Sequence, residues 1–261
     1  MSDWGPLHDW RPWLLARGDE LRASIAFLTR FPLPVAATAP NATLGQAAWA
    51  FPLAGVLVGV VGAVVYALAQ RAGLPALPAA VLTVAATLAA SGCLHEDGLA
   101  DVADGFGGGA TRERKLDIMR DSRIGTYGVC AVTLSLLVRV SALASLGDAR
   151  LVAFGLIAAQ AGARAAVPVA MFLVPSARAD GLSFMAGRPP LEGVAVAAVL
   201  GFLILAMGLG LGSAILAVVV AAILGALLAR LSVKQIGGQT GDVLGALEQV
   251  SEIAILLVAV G

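Results

Sequence analysis

The stretch His95-Glu96-Asp97-Gly98-Leu99-Ala100-Asp101-Val102-Ala103-Asp104-Gly105-Phe106 puts four carboxylates into nine residues directly after an apolar run. At 100° per residue, Asp97, Asp101 and Asp104 share about 60° of one helix face, and Glu96 lies about 100° away from it. Like charges three and four residues apart repel in a plain helix, so the spacing makes physical sense if a divalent cation neutralises them. Carboxylate oxygens select Mg²⁺ or Mn²⁺ over softer metals. The competing reading is a solvated loop whose acids pair with Arg112, Arg114 and Lys115. Leu99, Val102 and Phe106 between the acids, with glycines at Gly98 and Gly105, favour instead a site pressed between helices and a ligand.

A second set of charges lies inside apolar runs. Glu248 and Glu252 sit four apart on one helix face, and Arg139 and Arg164 each interrupt another run. An ionisable group within a membrane-spanning helix is expensive and marks a functional site by default. Pairing of the two acids with the two arginines is the structural alternative for all four.

The elements that must position these residues follow from composition. Of 261 residues, 59% are hydrophobic and 13% charged, against about 25% charged in soluble domains. An ordinary soluble protein is excluded on that ground. Seventeen Lys and Arg balance seventeen Asp and Glu, so there is no basic excess to track a phosphate backbone and no nucleic-acid partner is expected. Cys93 and Cys130 lie beside apolar runs without CxxC spacing and read as small hydrophobes.

A helix crosses the hydrocarbon core with about 20 mainly apolar residues. Such runs fall at 49–70, 75–94, 125–146, 151–174, 193–211, 214–229 and 243–260. The expected fold is therefore all-α: a polytopic membrane bundle of about seven transmembrane helices, within a range of about six to eight. The sixth run is short and follows the fifth across Gly210, Gly212 and Ser213, so six spans with one broken unit is the alternative. Thirteen of the seventeen Lys and Arg fall in 1–48, 95–124, 175–192 and 230–242, and only Arg71 and Arg150 in the opposite connections. The positive-inside rule then places the N-terminus and both long polar connections in the cytoplasm.

Residues 20–31 carry Leu21, Ile25, Leu28 and Phe31 at helical spacing before Pro32 and Pro34, which predicts an interfacial helix. The organisation expected is a cytoplasmic N-terminal segment, 1–48, containing that helix, and a single transmembrane catalytic domain, 49–261. The opening MSDWGPLHDWRPW lacks the basic start and apolar stretch of a cleavable signal, so the first span is expected to direct insertion itself. Gly55 and Gly59 are expected to serve close helix packing.

Five blocks carry a family resemblance along the chain: Arg30-Phe31-Pro32-Leu33-Pro34; Phe51-Pro52-Leu53-Ala54-Gly55; His95 through Gly109; Ile118-Met119-Arg120-Asp121-Ser122-Arg123-Ile124-Gly125-Thr126-Tyr127-Gly128; and Gly237-Gly238-Gln239-Thr240-Gly241-Asp242-Val243-Leu244-Gly245-Ala246. In these blocks the chain resembles the cobalamin synthases, also called adenosylcobinamide-GDP ribazoletransferases. The resemblance implies a Mg²⁺-dependent transfer in which a ribose hydroxyl of α-ribazole, or of its 5′-phosphate, attacks the cobinamide-side phosphorus of adenosylcobinamide-GDP and GMP leaves. It also implies a bacterial cytoplasmic (inner) membrane enzyme, surrounded by membrane lipid, with its active site facing the cytoplasm; whether it forms an oligomer is left open. The chemistry parallels that of CDP-alcohol phosphotransferases, but their DGxxAR pattern is not met, because Asp97-Gly98-Leu99-Ala100 is followed by Asp101. A lipid-forming enzyme of that type, or a membrane transporter, is the alternative.

Within the implied reaction, Asp97 and Asp101 are expected as metal ligands. Asp104, about 10 Å further along the helix axis, is either a ligand to a second ion or the base that accepts the hydroxyl proton. Glu96 and His95 are further catalytic candidates; the alternative for His95 is a boundary histidine bonded to a backbone carbonyl. Guanidinium forks match phosphate oxygens, which makes Arg120 and above all Arg123 candidates for the GDP diphosphate, the alternative being charges that merely flank a cytoplasmic helix start. Glycine-rich backbone before a helix can present N–H groups to an anion, which nominates Gly237 and Gly238. Asp242 is either substrate- or metal-facing or a helix N-cap. Lys234 and Arg30 complete the expected substrate-binding set.

Overall fold

A computed structural model describes residues 11–33 and 43–261; the first ten residues and Pro34 lie outside it. The helices are α1 (Arg11–Leu28), α2 (Leu44–Ala47), α3 (Phe51–Arg71), α4 (Ala76–Ser91), α5 (Leu94–Gly108), α6 (Arg112–Ile118), α7 (Thr126–Leu146), α8 (Ala149–Leu173), α9 (Gly181–Ala186), α10 (Leu191–Leu209), α11 (Leu211–Ile236) and α12 (Gly241–Val260). Among the described residues no strand forms; one isolated parallel bridge joins Ser176 to Gln239.

Six helical runs are long and apolar enough to cross a membrane: α2 with α3, then α7, α8, α10, α11 and α12. The pair α4 and α5, bent by 91° at its break, adds a seventh if the bent pair is counted as one span. This is a multi-pass helical bundle, as the apolar runs predict. The second run stops short of its expected end, because Gly92 (φ 68°) and Cys93 (φ 57°) both adopt left-handed backbone there. The bend takes the acidic helix α5 off the axis of α4 and out of the span. The sixth run differs in the other direction: α11 is 26 residues long, since Arg230 and Lys234 continue its helix beyond the apolar part. It is separated from α10 by a turn at Gly210 (φ 80°), so the two are distinct helices.

The centre of the bundle is α8 and α12, each with 67% of its apolar window buried, while α11 has 11%. Ile215, Leu216, Val219, Ile223 and Leu227 of α11 face outward, as lipid-facing positions do. α3 lies close against α8 at Gly55 and Gly59: a Cβ at Gly59 would sit 2.7 Å from Ile157 Cα. α1 starts nine residues before the expected helix and is tied to the start of α3, where Trp49 Nε1 donates to buried Glu20 Oε2 at 2.6 Å.

The charges inside the bundle pair with each other. Arg139 of α7 meets Glu96 of α5 at 2.7 Å and Glu252 of α12 at 3.0 Å, and Arg164 of α8 meets Glu248 of α12 at 2.7 Å. Gln160 donates to Glu252 at 2.7 Å and Gln249 to Glu96 at 3.1 Å. All these groups are buried, where an unpaired charge would be very costly. The network binds α5, α7, α8 and α12 to one another.

Candidate active site

The helix α5 is held by its two faces. Val102, with Leu99 and Phe106 beside it, packs on Leu116 and Met119 after the bend and on Val243 and Ala246 of α12. Toward α12 the backbones almost touch, since a Cβ at Gly98 would lie 2.7 Å from the Asp242 carbonyl oxygen. Only glycine permits that approach, and it brings Asp97 and Asp101 alongside Asp242. Burial, then the neighbouring carboxylates of Asp242, Asp97 and Asp104, push the Asp101 carboxyl up to about 7. A cluster of this kind is relieved by a cation.

Asp242 is placed by its own loop. Thr240, not Asp242, is the N-cap of α12: its Oγ1 accepts from the Val243 amide at 3.3 Å and donates to Asp242 Oδ2 at 3.1 Å. The segment before it is zipped to the loop after α8, with the Ala177 amide donating to the Gln239 carbonyl and the Gln239 amide to the Pro175 carbonyl, both at 2.8 Å. Gly238 lies so close to the Pro175 carbonyl that a side chain could not be accommodated. This pairing delivers Arg178, which lies 3.6 Å from Asp242 Oδ2 and 3.6 Å from Asp180 Oδ1. Its Nη1 is buried without a hydrogen-bond partner, and a buried guanidinium donor left unpaired is costly unless a ligand takes it.

Asp97, Asp242, Arg178 and His95 line one pocket of about 320 Å³. Apart from Ser183, the rest of its wall is apolar and includes Phe27, Phe51, Val167, Met171, Leu182 and Leu244. Among the described residues no group of three or more His, Cys, Asp or Glu side chains is placed to hold a metal ion. Mg²⁺ does not need one, because it is commonly held by one or two carboxylates with waters and substrate phosphates. Asp97 and Asp101 fit that mode by the chemistry of their oxygens.

The other expected site residues separate into two groups. Asp104 turns away from this cluster to the start of α7, where the Gly125 and Gly128 amides donate to its Oδ2 and Oδ1 at 2.6 and 2.9 Å. Glu96 is buried in the ion-pair network, and His95 Nδ1 lies 3.4 Å from both Glu248 Oε2 and Arg164 Nη2, so the histidine joins that network rather than a backbone carbonyl. Arg120 pairs with Asp180 at 2.6 Å. Arg123 is exposed and pairs with Asp121 at 2.6 Å, which holds the Asp121 carboxyl down at about 2. Lys234 is exposed near the end of α11, Gly237 (φ 85°) ends that helix, and the Arg30 side chain packs against Gly92 at the α4–α5 bend. Arg178 is the residue that sequence reasoning missed: it stood out only as one basic residue of a cytoplasmic connection, and no spacing tied it to Asp242.

Fold and pocket together define a polytopic helical membrane protein with a carboxylate- and arginine-lined pocket beside the bend of α4 and α5. The chain belongs to the cobalamin-5-phosphate synthase family, whose model matches residues 20–260. It is 53% identical over 240 residues to a protein of Bradyrhizobium diazoefficiens named adenosylcobinamide-GDP ribazoletransferase, covering 92% of each chain. A protein of the same name from Mesorhizobium japonicum is 53% identical over 241 residues, again with 92% of each chain covered. The one from Azorhizobium caulinodans is 44% identical over 249 residues, covering 91% of this chain and 94% of its own. No solved structure matches this chain.

Proposed function

We propose that the protein joins adenosylcobinamide-GDP to α-ribazole or its 5′-phosphate and releases GMP, a reading supported by its family and by relatives named adenosylcobinamide-GDP ribazoletransferase. The observation that carries this reading is Arg178, which lines the same pocket as Asp97 and Asp242 and whose buried Nη1 has no hydrogen-bond partner within the protein. A fork donor facing carboxylates across a small pocket suits a diphosphate accompanied by Mg²⁺.

In this reading Arg178 holds oxygens of the diphosphate, and Asp97 and Asp101 would hold Mg²⁺. The bound ion supplies charge neutralisation for the phosphates and the leaving GMP. Asp242, beside Arg178, accepts the proton of the attacking ribose hydroxyl. The hydroxyl oxygen bonds to the cobinamide-side phosphorus, the bond from that phosphorus to the bridging oxygen breaks, and GMP departs with the bridging oxygen. Asp104 contributes by fixing the start of α7, and the ion-pair network by holding α5 in place.

The excess of Lys and Arg in the connections at the site's end of the bundle supports a cytoplasm-facing site in a bacterial inner membrane. The test is GMP release by purified protein supplied with adenosylcobinamide-GDP and either acceptor. Activity is expected with Mg²⁺ and lost with EDTA. Absence of GMP release, or turnover of CDP-diacylglycerol instead, would reject the assignment.

A further inference from the structure

The apolar wall of the pocket is not used by the phosphate chemistry, and its composition narrows what it can hold. Phe27 and Phe51, with ring centroids 6.4 Å apart, line the pocket together with Val167, Met171, Leu182 and Leu244. Ser183, which also lines the pocket, is already engaged with Gln239 Oε1 at 2.5 Å. Packed against these apolar side chains, guanine's hydrogen-bonding edge would find no partner, and burying such groups unpaired is unfavourable. A corrin macrocycle with its side chains exceeds a space of about 320 Å³. The dimethylbenzimidazole of α-ribazole is a flat bicycle whose outer rim is hydrocarbon, and its ribose would then point toward Asp97 and Asp242.

Resting on the function proposed above, we infer that this wall is the subsite for the acceptor's aromatic base and that Val167 and Leu182 set acceptor specificity. Each buried methyl contributes about fourfold to affinity, so the two methyls together contribute about fifteenfold.

The experiment compares α-ribazole with the benzimidazole riboside lacking both methyls, using the full-length protein in detergent. The KM of the parent enzyme should be about fifteenfold higher for the stripped acceptor. Val167→Phe, which fills the wall, and Leu182→Trp, on a side chain 59% exposed and therefore unlinked to core stability, should each raise the KM for α-ribazole at least tenfold. The KM for adenosylcobinamide-GDP should stay within about twofold. Equal KM values for the two acceptors, or variants that raise the KM for adenosylcobinamide-GDP and not for α-ribazole, would overturn the subsite while leaving the function standing. Failure of the parent to release GMP with any acceptor would instead reject the function, and the subsite with it.

Discussion

Replacing Arg139 by methionine tests whether the charges inside the bundle hold the site helix. Arg139 is 2% exposed and bridges Glu96 at 2.7 Å to Glu252 at 3.0 Å. Methionine fills much of the same space but strands two buried carboxylates, and breaking a buried pair in this way costs about 3–5 kcal/mol. At about 2–4 °C per kcal/mol for a domain near this size, the midpoint of thermal unfolding should fall by roughly 6–20 °C. Circular dichroism of the detergent-solubilised protein reads the shift, and GMP release below the new midpoint should also drop, because Glu96 adjoins Asp97 on α5. The control is the triple variant Arg139→Met, Glu96→Gln, Glu252→Gln, which removes the stranded charges and should recover at least half of the lost stability. A single variant melting within 2 °C of the parent at matched protein concentration, or a triple variant no better than the single, would refute the reasoning.

Asp97→Asn or Asp101→Asn should abolish transfer with unfolding midpoints unchanged, and near-normal turnover at saturating Mg²⁺ would remove these carboxylates from the site. Arg178→Lys, which keeps the charge but loses the fork, should reduce kcat/KM by about ten- to a hundredfold, on the scale of about 1.5–3 kcal/mol for a hydrogen bond to a charged group. Arg123→Lys should stay within about fivefold, because its partner is an exposed carboxylate and such pairs contribute little; the opposite ranking would return the diphosphate to Arg123. Gly238→Ala should open the pairing of Pro175 and Ala177 with Gln239, seen as proteolytic sensitivity between residues 175 and 190 together with lost activity. Reporters inserted in 110–117 or 178–190 should be cytoplasmic, and one following Gly261 should be outside if seven crossings are present.

The spans were legible because hydrophobic length is a local property, and so was the shared face of Asp97 and Asp101, since helical periodicity fixes it. The pairing of Glu248 and Glu252 with Arg139 and Arg164 could be anticipated from the expense of leaving any of them alone in a membrane. Other features depend on tertiary approach. Asp104 has the same spacing as its neighbours, yet the start of α7 comes to it and takes both its oxygens. Arg178 reaches Asp242 only through an irregular pairing of two loops, in which Pro175 and Ala177 bond to Gln239, and this leaves no periodic trace. The bend at Cys93 is likewise hidden, because a left-handed backbone at a non-glycine residue is set by its surroundings rather than by its own preference.

The position of α12 in the chain has a consequence for how the molecule is made. This helix lies at the centre of the bundle, supplies the carboxylate partner of Arg164 and the second partner of Arg139, and brings Asp242 to the pocket, yet it leaves the ribosome after both arginines. Until it inserts, the bilayer already contains an arginine whose counter-ion has not been synthesised, a burden of about 2.5–3.5 kcal/mol for a charge near the centre of a helix. Insertion of α12 therefore neutralises the interior and completes the pocket in one step. A chain interrupted before Gly241 would carry no half-built activity, and its uncompensated charge would expose it to the proteases that clear unfinished membrane proteins.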